Sequence, residues 1–222
     1  MAKYECAFGP INGTIGELVF YSSGGQQLVR RRPSRTSKRH PNELAQQAKF
    51  SLVNSFLKAL RDVIRYTFKP SEGRTARNTA FRSVYQHLKR EDGNLEFDFE
   101  NMQISQGSLY PVESPKVKLK KTKLIFGWVD NSRADQSNAT DKCILVTYCP
   151  ALMQSKYKLA GATRKAGFDS LEADRFSGHA VETWIAFISD DMKEVSDSVY
   201  TGRFDIPIQE PENIRVTRRR LL

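Results

Sequence analysis

A chain of 222 residues with 39% hydrophobic and 10% aromatic side chains can fill a core for one large domain or two small ones, which excludes a disordered protein. Its formal charge of +10 points to anionic partners, because a strong positive field concentrates negative ligands. No window approaches ~18 uninterrupted apolar residues, so no membrane-spanning helix is expected, and MAKYECAFGP lacks the apolar region and cleavage-like site of a secretory signal.

The charge is unevenly divided. Residues 1–94 carry 17 Lys or Arg against 7 Asp or Glu, whereas residues 124–210 carry 9 against 13. The ending EPENIRVTRRRLL turns positive again through Arg215, Arg218, Arg219 and Arg220. Such asymmetry suggests modules with different electrostatic work.

In chain order, GPINGTIGELVFYSSGGQQLVRRR comes first, with short β-favouring runs punctuated by glycine. Gly24-Gly25 between LVFY and QQLV predicts a hairpin, because glycine reaches the positive φ that tight primed turns require. A lone two-stranded hairpin is marginal in water, so this one must lean on the rest of the chain or on a neighbour. It runs into Arg30, Arg31, Arg32, Arg35, Lys38 and Arg39, and no acid lies between Glu17 and Glu43. Crowded cations repel one another unless a partner supplies anions. The planar fork of Arg, which outnumbers Lys here, suits carboxylate or phosphate. Arg218, Arg219 and Arg220 repeat the chemistry near the other end.

Asn42 and Glu43 then start a helix expected over 43–66, with Leu44, Ala48, Leu52, Phe56, Leu60, Val63 and Ile64 along one stripe. KPSEG breaks it, and a shorter helix is expected from about 75 to 89, packed against the first as a hairpin. From Leu95 the period becomes two. KVKLKKTKLIFGWV, DKCILVTYC, AVETWIAFI and SVYTGRFDI read as strands without intervening helices, which argues for an antiparallel sandwich with Trp128 and Trp184 in its core. Cys143 and Cys149 fall in one strand, about 20 Å apart at strand rise, beyond the ~7 Å limit for a disulfide. That pattern implies a reduced, intracellular protein.

The stretches TDKCILVTYCP, AGATRKAG, FSGHAVETWIAFISDD and VSDSVYTG, with the Gly-rich GTIGELVFY and the helix start NELAQQAKFSLV, together resemble a Bacteroidetes family of unknown function, domain of unknown function 6266. The resemblance spans residues 9 to 205. It implies an N-terminal β-hairpin and helical portion followed by an immunoglobulin-like sandwich, a build in keeping with phage-like as well as cellular settings. It implies no activity. The basic tail after Ile206 departs from the family's usual short ending.

Motifs that could carry chemistry are weak. Gly9, Gly13 and Gly16 lack the Lys and helix start of a phosphate loop. His40, His87 and His179 are scattered over a loop, a helix end and a strand edge, with nothing to assemble a nucleophile. There is no CxxC or HxxxH, and DNSRADQSNATDK lacks the ligand spacing of a calcium loop, so it reads as a flexible connection. The alternating acids of LEFDFEN read as the water-facing side of an edge strand.

The sequence therefore predicts an α+β chain: a basic hairpin and two-helix module over 1–92, an Ig-like antiparallel sandwich over 95–206, and a basic tail over 207–222. The expected function is that of a non-enzymatic assembly protein without catalytic residues, metal or cofactor, set in the cytoplasm or in a phage or phage-derived particle. Arg30, Arg31, Arg32, Arg35, Lys38, Arg39, Arg218, Arg219 and Arg220 would dock on partner subunits. The alternative is sequence-nonspecific binding of nucleic acid by the same cations.

Overall fold

A turn at Gly16 and Glu17 joins strands β2 (Gly13–Ile15) and β3 (Leu18–Ser23) in the computed structural model, which describes residues 2–3, 9–34, 41–70, 73, 75–91 and 94–208. Gly24 and Gly25, at φ 58° and 75°, turn the chain back into β4 (Gln26–Arg31), as the positive-φ argument requires. The expected hairpin is the centre of a four-stranded antiparallel sheet, because β1 (Ala2–Lys3) adds to β4 and β2 to β3.

The chain forms two compact units, Met1–Leu44 and Ala45–Leu222. This corrects the boundary expected near residues 92–95. The helices group with the sandwich because their apolar stripe is buried on it: Val53, Phe56, Leu57 and Leu60 share one core with Ile144, Val146, Tyr148 and Trp184.

The predicted first helix is two, α1 (Pro41–Ala59) and α2 (Arg61–Thr67), separated at Leu60, whose φ of −103° and ψ of 16° leave the helical region. Thr75 caps α3 (Ala76–Tyr85), its hydroxyl oxygen accepting from the Asn78 N–H. The Phe50 and Phe81 rings stack at 5.2 Å between centroids and hold α1 to α3. α3 ends earlier than the sequence suggests, because Leu88–Glu91 becomes β5 and pairs with β6 (Asn94–Phe97). Asp98, expected to face water, is largely covered, and its carboxylate meets Lys89 Nζ at 2.6 Å. Among the described residues no helix is long and apolar enough to cross a membrane.

The remaining strands are β7 (Glu113–Lys120), β8 (Lys123–Val129), β9 (Lys142–Cys149), β10 (Gln154–Lys158), β11 (Phe168–Glu172), β12 (Ala180–Ile188) and β13 (Val199–Asp205). A four-stranded sheet in the order β10-β9-β12-β13 faces a three-stranded sheet in the order β11-β8-β7, and the pairing in both is antiparallel. This is an immunoglobulin-like sandwich within an α+β chain. Leu124, Phe126 and Trp128 of β8 alternate into the inter-sheet core against Leu145, Ile185 and Phe187. β9 and β12 are buried on both faces because helices cover the outer one. Both tryptophans are core residues. Trp128 lies between the sheets and Trp184 under the helices, and their indole N–H groups donate to the carbonyls of Arg164 and Met102 at 2.7 and 3.0 Å. Cys143 and Cys149 are buried free thiols in β9.

Candidate functional site

Pairing across the N-terminal sheet decides which side chains share a face, since directly opposed residues do and successive ones alternate. Ile15, Leu18, Phe20 and Val29 lie on one face with Arg31. Val19, Tyr21 and Leu28 lie on the other with Arg30. Both faces are therefore apolar along the middle and cationic at one end. None of the described residues of Met1–Leu44 is buried, and Ile15 and Leu18 are 63% and 46% exposed.

The cations are not equivalent. Glu17, which in sequence only flanks the acid-free segment, is brought opposite Arg31 by the hairpin: its Oε2 accepts from Arg31 Nε at 2.9 Å and meets Nη2 at 2.7 Å, while its carbonyl accepts from the Arg32 N–H at 2.6 Å. Both side chains of this pair are about three-quarters exposed, so it contributes little, about 0–1 kcal/mol, and a partner's anion can replace it. The Arg30 guanidinium carbon lies 5.9 Å from the Tyr21 ring centroid. Among the described residues neither Arg30 nor Arg32 pairs with an acid. Arg35, Lys38, Arg39, Arg218, Arg219 and Arg220 lie outside the described residues.

A second basic surface lies within the second unit. Lys58, Arg61, Arg65 and Arg77 line an open groove that ends at Thr75 and Ala76, the start of α3. None of the four pairs with a carboxylate among the described residues, and Asp62 in the same groove accepts from the Tyr157 hydroxyl at 2.7 Å. Arg77 instead donates to Asn54 Oδ1 at 3.1 Å. The spacing of 58, 61 and 65 is that of one helical face, a signal the sequence carries.

Several of the described groups weighed for chemistry take part in holding the fold. The Cys143 thiol donates to Asp169 Oδ2 at 3.4 Å, and burial together with the Asp169 charge pushes it well above its usual range, so it stays protonated. The Asp169 carboxyl is itself held low: burial opposes its charge, but Lys158 Nζ at 2.8 Å and the Ala162 and Ser170 N–H groups outweigh that. DNSRADQSNATDK is pinned at both ends, contrary to the flexible connection expected, because Asn131 and Asp141 are buried as partners of Arg164. His87 follows α3, its N–H donating to the Val84 carbonyl. Among the described residues no group of three or more His, Cys, Asp or Glu side chains is placed to hold a metal ion.

These features define an α+β protein whose sandwich carries a helical layer and whose first unit is an open basic sheet. The chain belongs to the family of unknown function DUF6266, whose model matches residues 10–202. No curated protein matches it. Among solved structures it is similar to the fn3 domain of the human collagen alpha-1(XX) chain, at 14% identity over 48% of this chain and 95% of that one, with a TM-score of 0.33. The strand order of the two sheets, not that likeness, establishes the sandwich.

Proposed function

We propose that this is a non-enzymatic assembly protein, and that its N-terminal sheet docks on the acidic surface of another protein subunit. The observation that carries the reading is the sheet itself: four strands, apolar residues on both faces, and no buried residue among those described in its unit. A sheet needs a covered hydrophobic face for independent stability. Phe20 and Val29 on one face, and Tyr21 and Leu28 on the other, supply apolar surface for a partner to cover. The edge strand β2 carries no charge to discourage pairing with another chain. Arg30 and Arg32 add attraction to carboxylates and set the orientation.

Sedimentation of the full chain with and without candidate subunits, combined with hydrogen exchange, tests this. The sheet amides should exchange far faster than those of β9 and β12 until a partner, a second copy included, is bound. Phe20→Ser and Leu28→Ser should abolish that protection, and Arg30→Ser with Arg32→Ser should weaken it about tenfold, more at low salt than at high. A lone monomer whose sheet is as protected as β9 would overturn the proposal.

The groove of Lys58, Arg61, Arg65 and Arg77 favours a second reading, contact with a nucleic-acid backbone. Random duplex DNA should then bind with a steep loss of affinity on adding salt, with a log–log slope near −0.9 per phosphate neutralised. A flat response removes this reading and leaves the first intact.

A further inference from the structure

Within the second unit, the helical layer does not cover the outer face of the four-stranded sheet completely. A groove of about 800 Å³ remains, within the range of small-ligand clefts. Phe97 and Phe99 form one wall, Leu52 of α1 another, and Met153, 55% exposed, stands at the mouth. The floor is a row of three residues in register across the sheet: Tyr148 of β9, Glu182 of β12 and Arg203 of β13. The Phe99 ring centroid lies 5.5 Å from that of Phe97 and 6.2 Å from that of Tyr148, so the rings surround the space above the row.

Two residues on this floor are largely buried yet keep a polar atom with hydrogen-bonding capacity left for a ligand. Glu182 is 3% exposed. Its Oε2 accepts from the Tyr200 hydroxyl at 2.6 Å, but its Oε1 accepts no hydrogen bond among the described residues, and Arg203 Nε stands off at 4.0 Å. Tyr148 is 2% exposed, and its hydroxyl makes no hydrogen bond among the described residues. Burial pushes that hydroxyl up to about 12, so it remains a neutral donor and acceptor. Neither atom is among the enclosed side-chain oxygens that lack a partner, so both keep contact with solvent, which a ligand's donor can replace.

The charge around them selects the partner. Three carboxylates, Glu96, Glu182 and Asp205, line the groove against the one guanidinium of Arg203. A carboxylate at the base of an aromatic-walled cleft is the chemistry that holds an organic cation, since ring faces attract positive charge and the apolar walls take the carbon body. An anion would be repelled by Glu96, Glu182 and Asp205, with Arg203 alone to offset them.

We propose that this groove binds the cationic head of an alkyl- or arylammonium ligand, with Glu182 as counter-ion, Tyr148 as hydrogen-bond partner, and Phe97 and Phe99 as walls. Arg203, whose side chain is two-thirds exposed, flanks the same carboxylate and competes with the ligand. The ammonium has two sources, a free amine or a lysine side chain presented by another protein. The site is independent of the N-terminal sheet, and neither proposal falls with the other.

Nuclear magnetic resonance of the full chain, following the Met153 methyl and the Trp184 indole, tests this with a charge series: benzylammonium, benzyl alcohol and benzoate, plus a blocked Gly-Lys-Gly peptide. Benzylammonium should shift both signals saturably and bind about tenfold tighter than benzyl alcohol, while benzoate should not bind. Glu182→Gln should abolish the preference for the cation. Should that variant fail to fold, Arg203→Gln carries the test, because an exposed side chain is lost and the ammonium should bind several-fold tighter. Tighter binding of the lysine peptide than of benzylammonium assigns the protein source, and the reverse assigns the free amine. Equal affinity for ammonium and alcohol, no saturable shift with any probe, or no gain from Arg203→Gln overturns the proposal.

Discussion

Arg164 is the one fully buried cation among the described residues, and every edge of its guanidinium is in use. Nε faces Asp141 Oδ2 at 3.1 Å, Nη1 donates to Asn131 Oδ1 at 2.7 Å, and Nη2 donates to the Tyr110 carbonyl at 3.0 Å. Its central carbon lies 3.9 Å from the Phe187 ring centroid. One side chain thus ties the segment before β7, the connection between β8 and β9, and its own connection after β10 to the inter-sheet core. Arg164→Met would leave Asp141 buried without its counter-charge, and Asp141 Oδ1 already has no hydrogen-bond partner among the described residues. The expected loss of stability is about 3–5 kcal/mol by urea unfolding. Much of it should return in Arg164→Met with Asp141→Leu, because the cost comes from the orphaned charge rather than from the missing pair. A loss below about 1 kcal/mol in the single variant would mean that water replaces the guanidinium.

At the level of elements, the two kinds of open strand are treated differently. β7, the edge of the three-stranded sheet, presents Lys116, Lys118 and Lys120 outward in alternation, which discourages edge-to-edge pairing. β2 of the N-terminal sheet has no such guard. The connection between the helices and β7 is anchored against the chain just before β13. Leu109 bridges to Ser196, Gly107 N–H donates to Asp197 Oδ1 at 3.0 Å, and a Cβ on Gly107 would fall 2.0 Å from the Val195 carbonyl oxygen. Gly107→Ala must therefore displace backbone, and its expected cost of about 1–3 kcal/mol is measurable as a lowered urea midpoint with an unchanged slope. What was legible in the sequence follows from the range of the forces involved. The two-residue period of β8 is local and reads correctly, whereas the stripe of α1 is only partly right. Phe56 is buried as expected, but Leu44 and Ala48 are exposed, and Val53 and Leu57, outside the expected stripe, are buried. QSKYK and FDSLE, which form β10 and β11, carry little period of their own; pairing with β9 and β8 makes them strands. YQHLKR continues a helical pattern, yet pairing of Leu88–Glu91 with β6 overrides it. The Arg block was legible as charge, but the Glu17 contact needed the hairpin register. The row Tyr148, Glu182, Arg203 comes from three separate strands, so no spacing in the sequence could announce it.

The whole molecule turns on which surface the helices cover. Charge grouped them with the basic N-terminal strands, but burial groups them with the sandwich, since Phe56 packs edge-on to Tyr148 at 4.8 Å and the helices close over Ile144, Val146 and Trp184. Removing them would expose an apolar sheet face several side chains wide, each buried side chain worth about 1.5–3 kcal/mol, on a scale where total stability is only about 5–15 kcal/mol. A chain of residues 95–222, cut at the boundary the sequence suggests, should therefore fail to unfold cooperatively and should aggregate. A chain of residues 41–222, which loses the N-terminal strands but keeps α1 whole, should retain a single cooperative transition with a midpoint close to that of the full chain, because none of the described residues it discards is buried. The comparison by circular dichroism and calorimetry has a clear adverse outcome. If residues 95–222 melt cooperatively at the temperature of the longer chain, the helical layer is not part of the sandwich's core, and the groove it borders loses its wall.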